Sequence, residues 1–238
     1  MSTGQSTGRS TRSTTGPATG AHLVATDALP AFDLSLDPGG VVLGVDRDGD
    51  RVAVQLFRAR PTQVVLVTAA YVARLVALRA LATGAGVAVA TSRPQGWHPV
   101  TTSAPAGRAV LVAPDAPLPA ASTPDAPLLR CTDLGPGGAA ARVEAGAWQA
   151  RLLVQDFTPA SAVPGLRAFD LVIVQRVAPD LVHPLQSAFG LPDDVAEALP
   201  RLRDQIVALI TPGQAVLVSL APTAGETSLL GNPVRHDG

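Results

Sequence analysis

Residues 64–91 constrain the fold more than any other stretch of the chain. The run VVLV at 64–67 is short and wholly apolar, as befits a strand buried on both faces. Residues 69–83 then pass through alanine, leucine and arginine, all good helix formers, and Gly84 supplies the residue that most readily closes a helix. Residues 87–91 (VAVAT) are apolar again. Strand, helix and strand in so short a span make a βαβ unit, and its right-handed crossover forces the two strands into a parallel sheet.

The flanking pattern fits that core. Residues 41–46 and 51–57 are β-rich runs around Arg47-Asp48-Gly49-Asp50, a turn with Asp and Gly where positive φ is needed, and this predicts a β-hairpin. Further on, 109–113 reads as a strand and 114–127, rich in Pro, Ala and Asp, as a loop. Residues 142–145 and 148–155 flank Gly146 and read as a second hairpin. FDLVIVQ at 169–175 is the strongest later strand signal. Helices are expected over 179–189 and 193–210, the second opened by Pro192 and broken or kinked at Pro200. A final strand is expected over 214–220, and no internal repeat is found. The expected fold is therefore α/β, a mainly parallel sheet flanked by helices and preceded by a β-hairpin, in a single domain over residues 31–238. Residues 1–20 are a Ser/Thr/Gly tract that cannot bury enough surface to offset chain entropy, and 1–30 is expected to be a disordered tail.

Composition excludes several chemistries. All 18 basic side chains are arginines, so no Schiff-base lysine, lysine general base or phosphate-loop lysine is available. A net charge of −1 with 3% aromatics offers neither a basic groove nor stacking rings for nucleic acid. No apolar run approaches the length of a membrane span and no secretory h-region opens the sequence. Cys131 is the single cysteine, which excludes an intramolecular disulfide and suits a cytoplasmic setting. It has no nucleophile motif around it.

Ligands of an open α/β sheet sit beyond the carboxyl ends of the parallel strands, and the turn after residue 67 is such a place. A phosphate-binding loop there needs G-x-x-x-x-G-K-[ST], with glycines to let backbone N–H groups wrap the phosphates, lysine for the outer phosphates and a hydroxyl for Mg²⁺. The stretches VVLGVDRDGDRVAVQLF, TQVVLV and VALRALATGAGVAVAT resemble the FtsK/EccC-type ATPase core of chromosome translocases and type VII secretion motors. Gly44, Asp46, Gly49 and the stretch Leu78-Arg79-Ala80-Leu81 stand at matching offsets.

The resemblance places the phosphate loop on residues 68–75, and every functional position is altered. Thr68 and Ala73 stand for the glycines, Arg74 for the lysine and Leu75 for the Mg²⁺ hydroxyl, while Tyr71 adds bulk where backbone should approach phosphate. The acidic strand that would hold Mg²⁺ is assigned to residues 171–174, which Gln175 and Arg176 follow in place of an acid; Asp170 precedes the strand, at its wrong end. The resemblance thus implies a P-loop-like domain without hydrolysis, cofactor or metal. It would act through protein partners, a secretion ATPase or its substrates, in the cytoplasm and peripheral to a membrane complex. Residues 226–231 (ETSLLG) resemble the ending of some such domains, with Thr227 in place of a glycine.

Other candidates are weaker. His22, His98, His183 and His236 have no metal-ligand spacing. Asp46, Asp48 and Asp50 faintly resemble the start of a calcium loop, but Phe57 stands where its bidentate glutamate belongs. Asp193, Asp194 and Glu197 suit a helix first turn. Glu144 has no evident acid–base partner, and Ser187 and Ser219 lack a nucleophile elbow. Arg79, Trp97, Arg201 and Arg203 are candidate interface anchors, these being the residue types that dominate interfaces. The alternative is an enzyme or small-molecule-binding module on an unrelated α/β fold, which would require Asp156, Asp170 or His183 to converge on one cleft.

Overall fold

The computed structural model describes residues 40–119, 121–135 and 144–233. The expected tail over 1–30, with His22, lies outside them, as does His236. Ten strands form one sheet: β1 (Val41–Val45), β2 (Arg51–Val54), β3 (Thr62–Val67), β4 (Gly86–Thr91), β5 (Ala109–Val112), β6 (Leu128–Asp133), β7 (Gln149–Gln155), β8 (Leu171–Val174), β9 (Ile206–Thr211) and β10 (Gln214–Ser219). Their spatial order is β2-β1-β10-β9-β8-β3-β7-β6-β4-β5. The six strands from β8 to β5 in that order are mutually parallel. The remaining four join by antiparallel pairing.

The helices are α1 (Ala70–Ala82), α2 (Pro94–Ser103), α3 (Pro179–Phe189), α4 (Asp193–Ala198) and α5 (Ala224–Leu230). Alternation along β3 divides the core. Val64 and Leu66 pack with Tyr71, Val72, Leu75 and Val76 of α1 and with Trp97 of α2. Val65 and Val67 pack on the other face with Leu181, Leu185 and Phe189 of α3 and with Val163 and Leu166 of a 3-10 turn. Right-handed crossovers explain this split: the chain steps outward from β3 to β4 over one face, so its return through β7 to β8 lies over the other.

The first hairpin forms as expected, with Asp46 Oδ1 accepting from the N–H groups of Asp48 and Asp50, both at 2.9 Å. It docks on β10 at Gly44, where an added Cβ would stand 1.9 Å from the Ser219 carbonyl oxygen; glycine is required there by close approach. Gly84 takes φ +91° beyond the end of α1.

Two expectations are corrected, and two elements stand where none was expected. The second hairpin around Gly146 does not form: β7 instead inserts between β3 and β6, parallel to both, and 142–143 lie outside the described residues. The helix expected over 193–210 stops at Ala198, continues as a single 3-10 turn through Pro200, and gives way to β9. Residues 206–211 (IVALIT) are β-branched and apolar, and they are buried on both faces between β8 and β10. Residues 94–103 form a helix opened by Pro94, which sits where its missing N–H costs nothing, and Pro99 lies inside it. Finally, β6 is a full central strand in spite of the charge of Arg130 within it. That guanidinium is buried under the 113–116 segment, donating to the carbonyls of Ala113, Pro114 and Ala116 at 3.2, 2.7 and 2.8 Å.

Candidate functional site

All six parallel strands end at one edge, and β3 stands among them with β7 on one side and β8 on the other. The connection from β3 to α1 is Thr68 and Ala69 alone. Ala69 is extended (φ −64°, ψ 149°) and α1 begins at the next residue. A phosphate cradle needs several successive backbone N–H groups left free to converge on the anion. Here Ala69 N–H donates to Gln175 Oε1 at 2.9 Å and Val72 N–H returns to Ala69 O at 3.1 Å. Residues 70–75 are helical, and Tyr71, Ala73 and Leu75 are core side chains, each at most 3% exposed. The Thr68 hydroxyl donates to the Ala69 carbonyl at 3.1 Å.

Arg74 is also committed. Its Nε donates to Ala70 O at 3.2 Å and one terminal nitrogen to Gly96 O at 3.0 Å. Burial lowers its pKa, the carboxylate of Asp133 opposes that shift, and the charge of Arg93 adds to it. Tyr71 is held above the usual phenol value, first by burial and then by the nearby charge of Glu226, and its hydroxyl makes no hydrogen bond.

The acid at this edge comes from β6. Asp133 closes that strand with its side chain 1% exposed, and Asp156 follows the end of β7. Between them lies Arg93, just past β4. One terminal nitrogen of Arg93 reaches Asp133 Oδ1, and the other donates to Asp156 Oδ2 at 2.8 Å. The second Asp133 oxygen accepts the indole N–H of Trp97 at 2.8 Å. Burial works against the Arg93 charge, but hydrogen bonds and charges of Asp133 and Asp156 outweigh it and leave the guanidinium pKa raised. Both terminal nitrogens of Arg93 are satisfied by the two carboxylates, while its buried Nε has no hydrogen-bond partner. Asp133 is thereby turned inward, while Arg93 and Asp156 stay partly exposed at the edge. Among the described residues no three His, Cys, Asp or Glu side chains gather as a metal site.

Gln175 lies at the end of β8, fully buried, with its Nε2 donating to Asp204 O at 2.7 Å. Arg176 follows it, half-buried. β6, not β8, is thus the parallel strand that ends in an acid. Arg201 and Arg203 are exposed beside the 3-10 turn, as anchors for a partner must be. Trp97 and Arg79 are not. Trp97 is 0% exposed, with its indole N–H used on Asp133. Arg79 grips Glu226 at 2.7 and 2.9 Å and the carbonyls of Val42, Leu43, Leu220 and Ala221. Both were expected to face a partner, and both are spent inside the chain.

The cleft required by an enzyme reading does not assemble from its named residues. Asp170 sits at the amino end of β8, accepting from Gln63 N–H at 2.8 Å and pairing with Arg58 at 3.2 Å. Asp156 lies at the opposite, carboxyl edge, and His183 is on α3. Asp133 and Arg93 were missed in the sequence, and Asp156 was named only for the alternative cleft, because each stands in a different segment with no local motif; the one available signal was the position of Asp133 at the end of LLRCTD, masked by Arg130. The sequence matches no protein-family model and no curated protein.

Proposed function

We propose that the chain is a non-catalytic P-loop-like domain, a pseudo-ATPase that acts through protein–protein contacts as an accessory to a type VII secretion or related translocation system. One observation carries this reading: the parts an ATPase would use stand at the carboxyl edge of the sheet, and each is closed off. The turn from β3 to α1 is two residues long, and its Ala69 N–H is used on Gln175. Arg74 bonds to main-chain carbonyls, and Asp133 is held by Arg93 and Trp97. Loss of hydrolysis does not by itself call for a surface role, but Arg201 and Arg203 remain exposed for one. The secretion setting, with cytoplasmic location at the periphery of a membrane complex, rests on the resemblance of residues 41–91 and is part of the proposal. No helix among the described residues is long and apolar enough to cross a membrane.

Titration calorimetry with Mg·ATP tests the first half. No binding heat and no phosphate release above a blank are expected; saturable binding in the micromolar range would sink the reading. For the second half, the purified chain is titrated against the cytosolic ATPase domains of a secretion motor. Arg201→Glu with Arg203→Glu should weaken that complex at least ~10-fold. An unchanged complex would remove these arginines from the interface.

A further inference from the structure

α5 is attached to the rest of the described chain by few contacts. None of its seven residues is buried, and Leu229 is 43% exposed. Leu230 packs against the core cluster that contains Tyr71. The hydrogen bonds that tie the helix to another element come from Arg79 on α1, which donates to the Glu226 carboxylate at 2.7 and 2.9 Å. The other bonds of α5 close within 223–231: Thr223 and Glu226 cap each other, and the N–H groups of Thr227 and Gly231 return to the carbonyls of Thr223 and Thr227. Ala221, in the link from β10 to this helix, has φ +40°; Trp148 is the other described residue besides glycine with a positive value. A side chain is strained in that region, and the strain persists only while the surroundings impose it. Arg79 also donates to the carbonyls of Leu220 and Ala221 at 3.0 and 3.4 Å, so the guanidinium that holds Glu226 also holds the strained link. Tyr71 is 3% exposed, its hydroxyl makes no hydrogen bond, and the charges of Glu226 and Arg79 both act on it. A buried hydroxyl without a partner favours any state that returns it to water.

We propose that α5 is a hinged strap, which turns about Ala221 and lifts from α1 to uncover Arg79 and Tyr71 while the sheet stays folded. Lifting breaks the Arg79–Glu226 pair and the packing of Leu230. Against that loss, strain at Ala221 is released, the Tyr71 hydroxyl reaches water, and 224–230 regains conformational freedom. Opposing terms of this kind let a segment open at a free energy well below that of global unfolding. Only the lifted state offers Arg79 to another protein, because in the closed chain that guanidinium is engaged by Glu226 and by main-chain carbonyls. The strap therefore gates a surface of α1 that the closed chain does not present.

Tyr71 is the single tyrosine and the chain has no lysine, so acetylation by N-acetylimidazole, located by peptide mass, reads its hydroxyl directly. Relative to the denatured chain, Tyr71 should be protected no more than ~10²-fold, against at least ~10³-fold for Cys131, although both side chains are buried. Its rate should stay flat in urea below the main transition, since lifting one short helix exposes little surface. Glu226→Gln should speed labelling about fivefold, and Ala221→Gly, which takes φ +40° without strain, should slow it about threefold. Both variants should keep the circular dichroism spectrum of the parent, and amides of 227–231 should exchange through the same opening. Tyr71 protected as strongly as Cys131, or released only in the main transition, would overturn the proposal. Fast α5 amides over a protected Tyr71 would do so as well, because they would mean fraying of the helix and not lifting. So would a fast rate that neither substitution changes, which would put Tyr71 within reach of water without the strap.

Discussion

Gln175 and Ala69 are joined by a hydrogen bond of 2.9 Å that fixes where β3 turns into α1. The same side chain donates to the Asp204 carbonyl at 2.7 Å, so one buried amide braces the β3–α1 turn against the approach to β9. An amide suits this place because one partner is a donor and the other an acceptor. Gln175→Ala leaves both unpaired in the interior and should lower stability by about 3 kcal/mol, read by urea denaturation. Gln175→Asp, which installs an acid at the strand end, should lose stability without gaining Mg·ATP affinity. A gain in affinity would mean that this strand end belongs to a nucleotide site after all.

Gly44 offers a sharper test of how the hairpin is held. A Cβ at this position meets the backbone of Ser219, which has no flexible end to yield. Gly44→Ala should therefore push β1 away from β10 and lower stability by more than about 3 kcal/mol, in the range of severe core overpacking. Hydrogen exchange should locate the loss first in amides of β1, β2 and β10. A neutral outcome would place the hairpin elsewhere. The glycine that supported the family resemblance thus has a packing reason of its own in this chain.

Legibility in the sequence followed the distance over which each signal acts. The hairpin, β3, α1 and β4 were readable because a turn, an apolar run and a C-terminal glycine lie within a few residues of one another. β9 was read as the tail of a helix because IVALIT carries no periodicity, and only its burial on both faces makes it a strand. β6 was missed because Arg130 interrupts it, and the three carbonyls that satisfy that charge come from 14 to 17 residues upstream. The candidate site suffered most. The turn lacking glycines and lysine could be located, but the ion pairs of Arg93 with Asp133 and Asp156 span 40 and 63 residues, beyond the reach of any local pattern.

Glu226 should tie stability to acid pH. Burial disfavours its charge, but hydrogen bonds from Arg79 and from the Thr223 N–H, with the charge of Arg79, outweigh burial and hold the carboxyl below its ordinary value. A carboxylate with a depressed folded-state pKa contributes stability above its unfolded value, about 4.3, and loses it as pH falls through the folded one. Glu226→Gln should therefore be less stable than the parent by about 1 kcal/mol at pH 7. That difference should shrink steadily below about pH 4.3. A difference that stays constant with pH would show that the Arg79 clamp works through its main-chain carbonyls and not through Glu226.

Cys131 reports on the whole sheet. It sits in β6 between Val89 of β4 and Leu152 of β7, 0% exposed. Burial first, and then the charge of Asp133, push its thiol well above the ordinary range, so thiolate is scarce wherever the sheet is closed. Reaching it requires separating central strands, an opening close to global unfolding in free energy. Labelling by a water-soluble disulfide reagent at neutral pH should be at least ~10³-fold slower in native buffer than in denaturant. Its rate in rising urea should follow the main unfolding transition and show no earlier phase. In Gly44→Ala it should accelerate only as far as global stability falls, because the hairpin lies at the opposite end of the sheet from β6. Rapid labelling of the native parent would contradict the central placement of β6, and with it the burial of Asp133 on which the closed carboxyl edge depends.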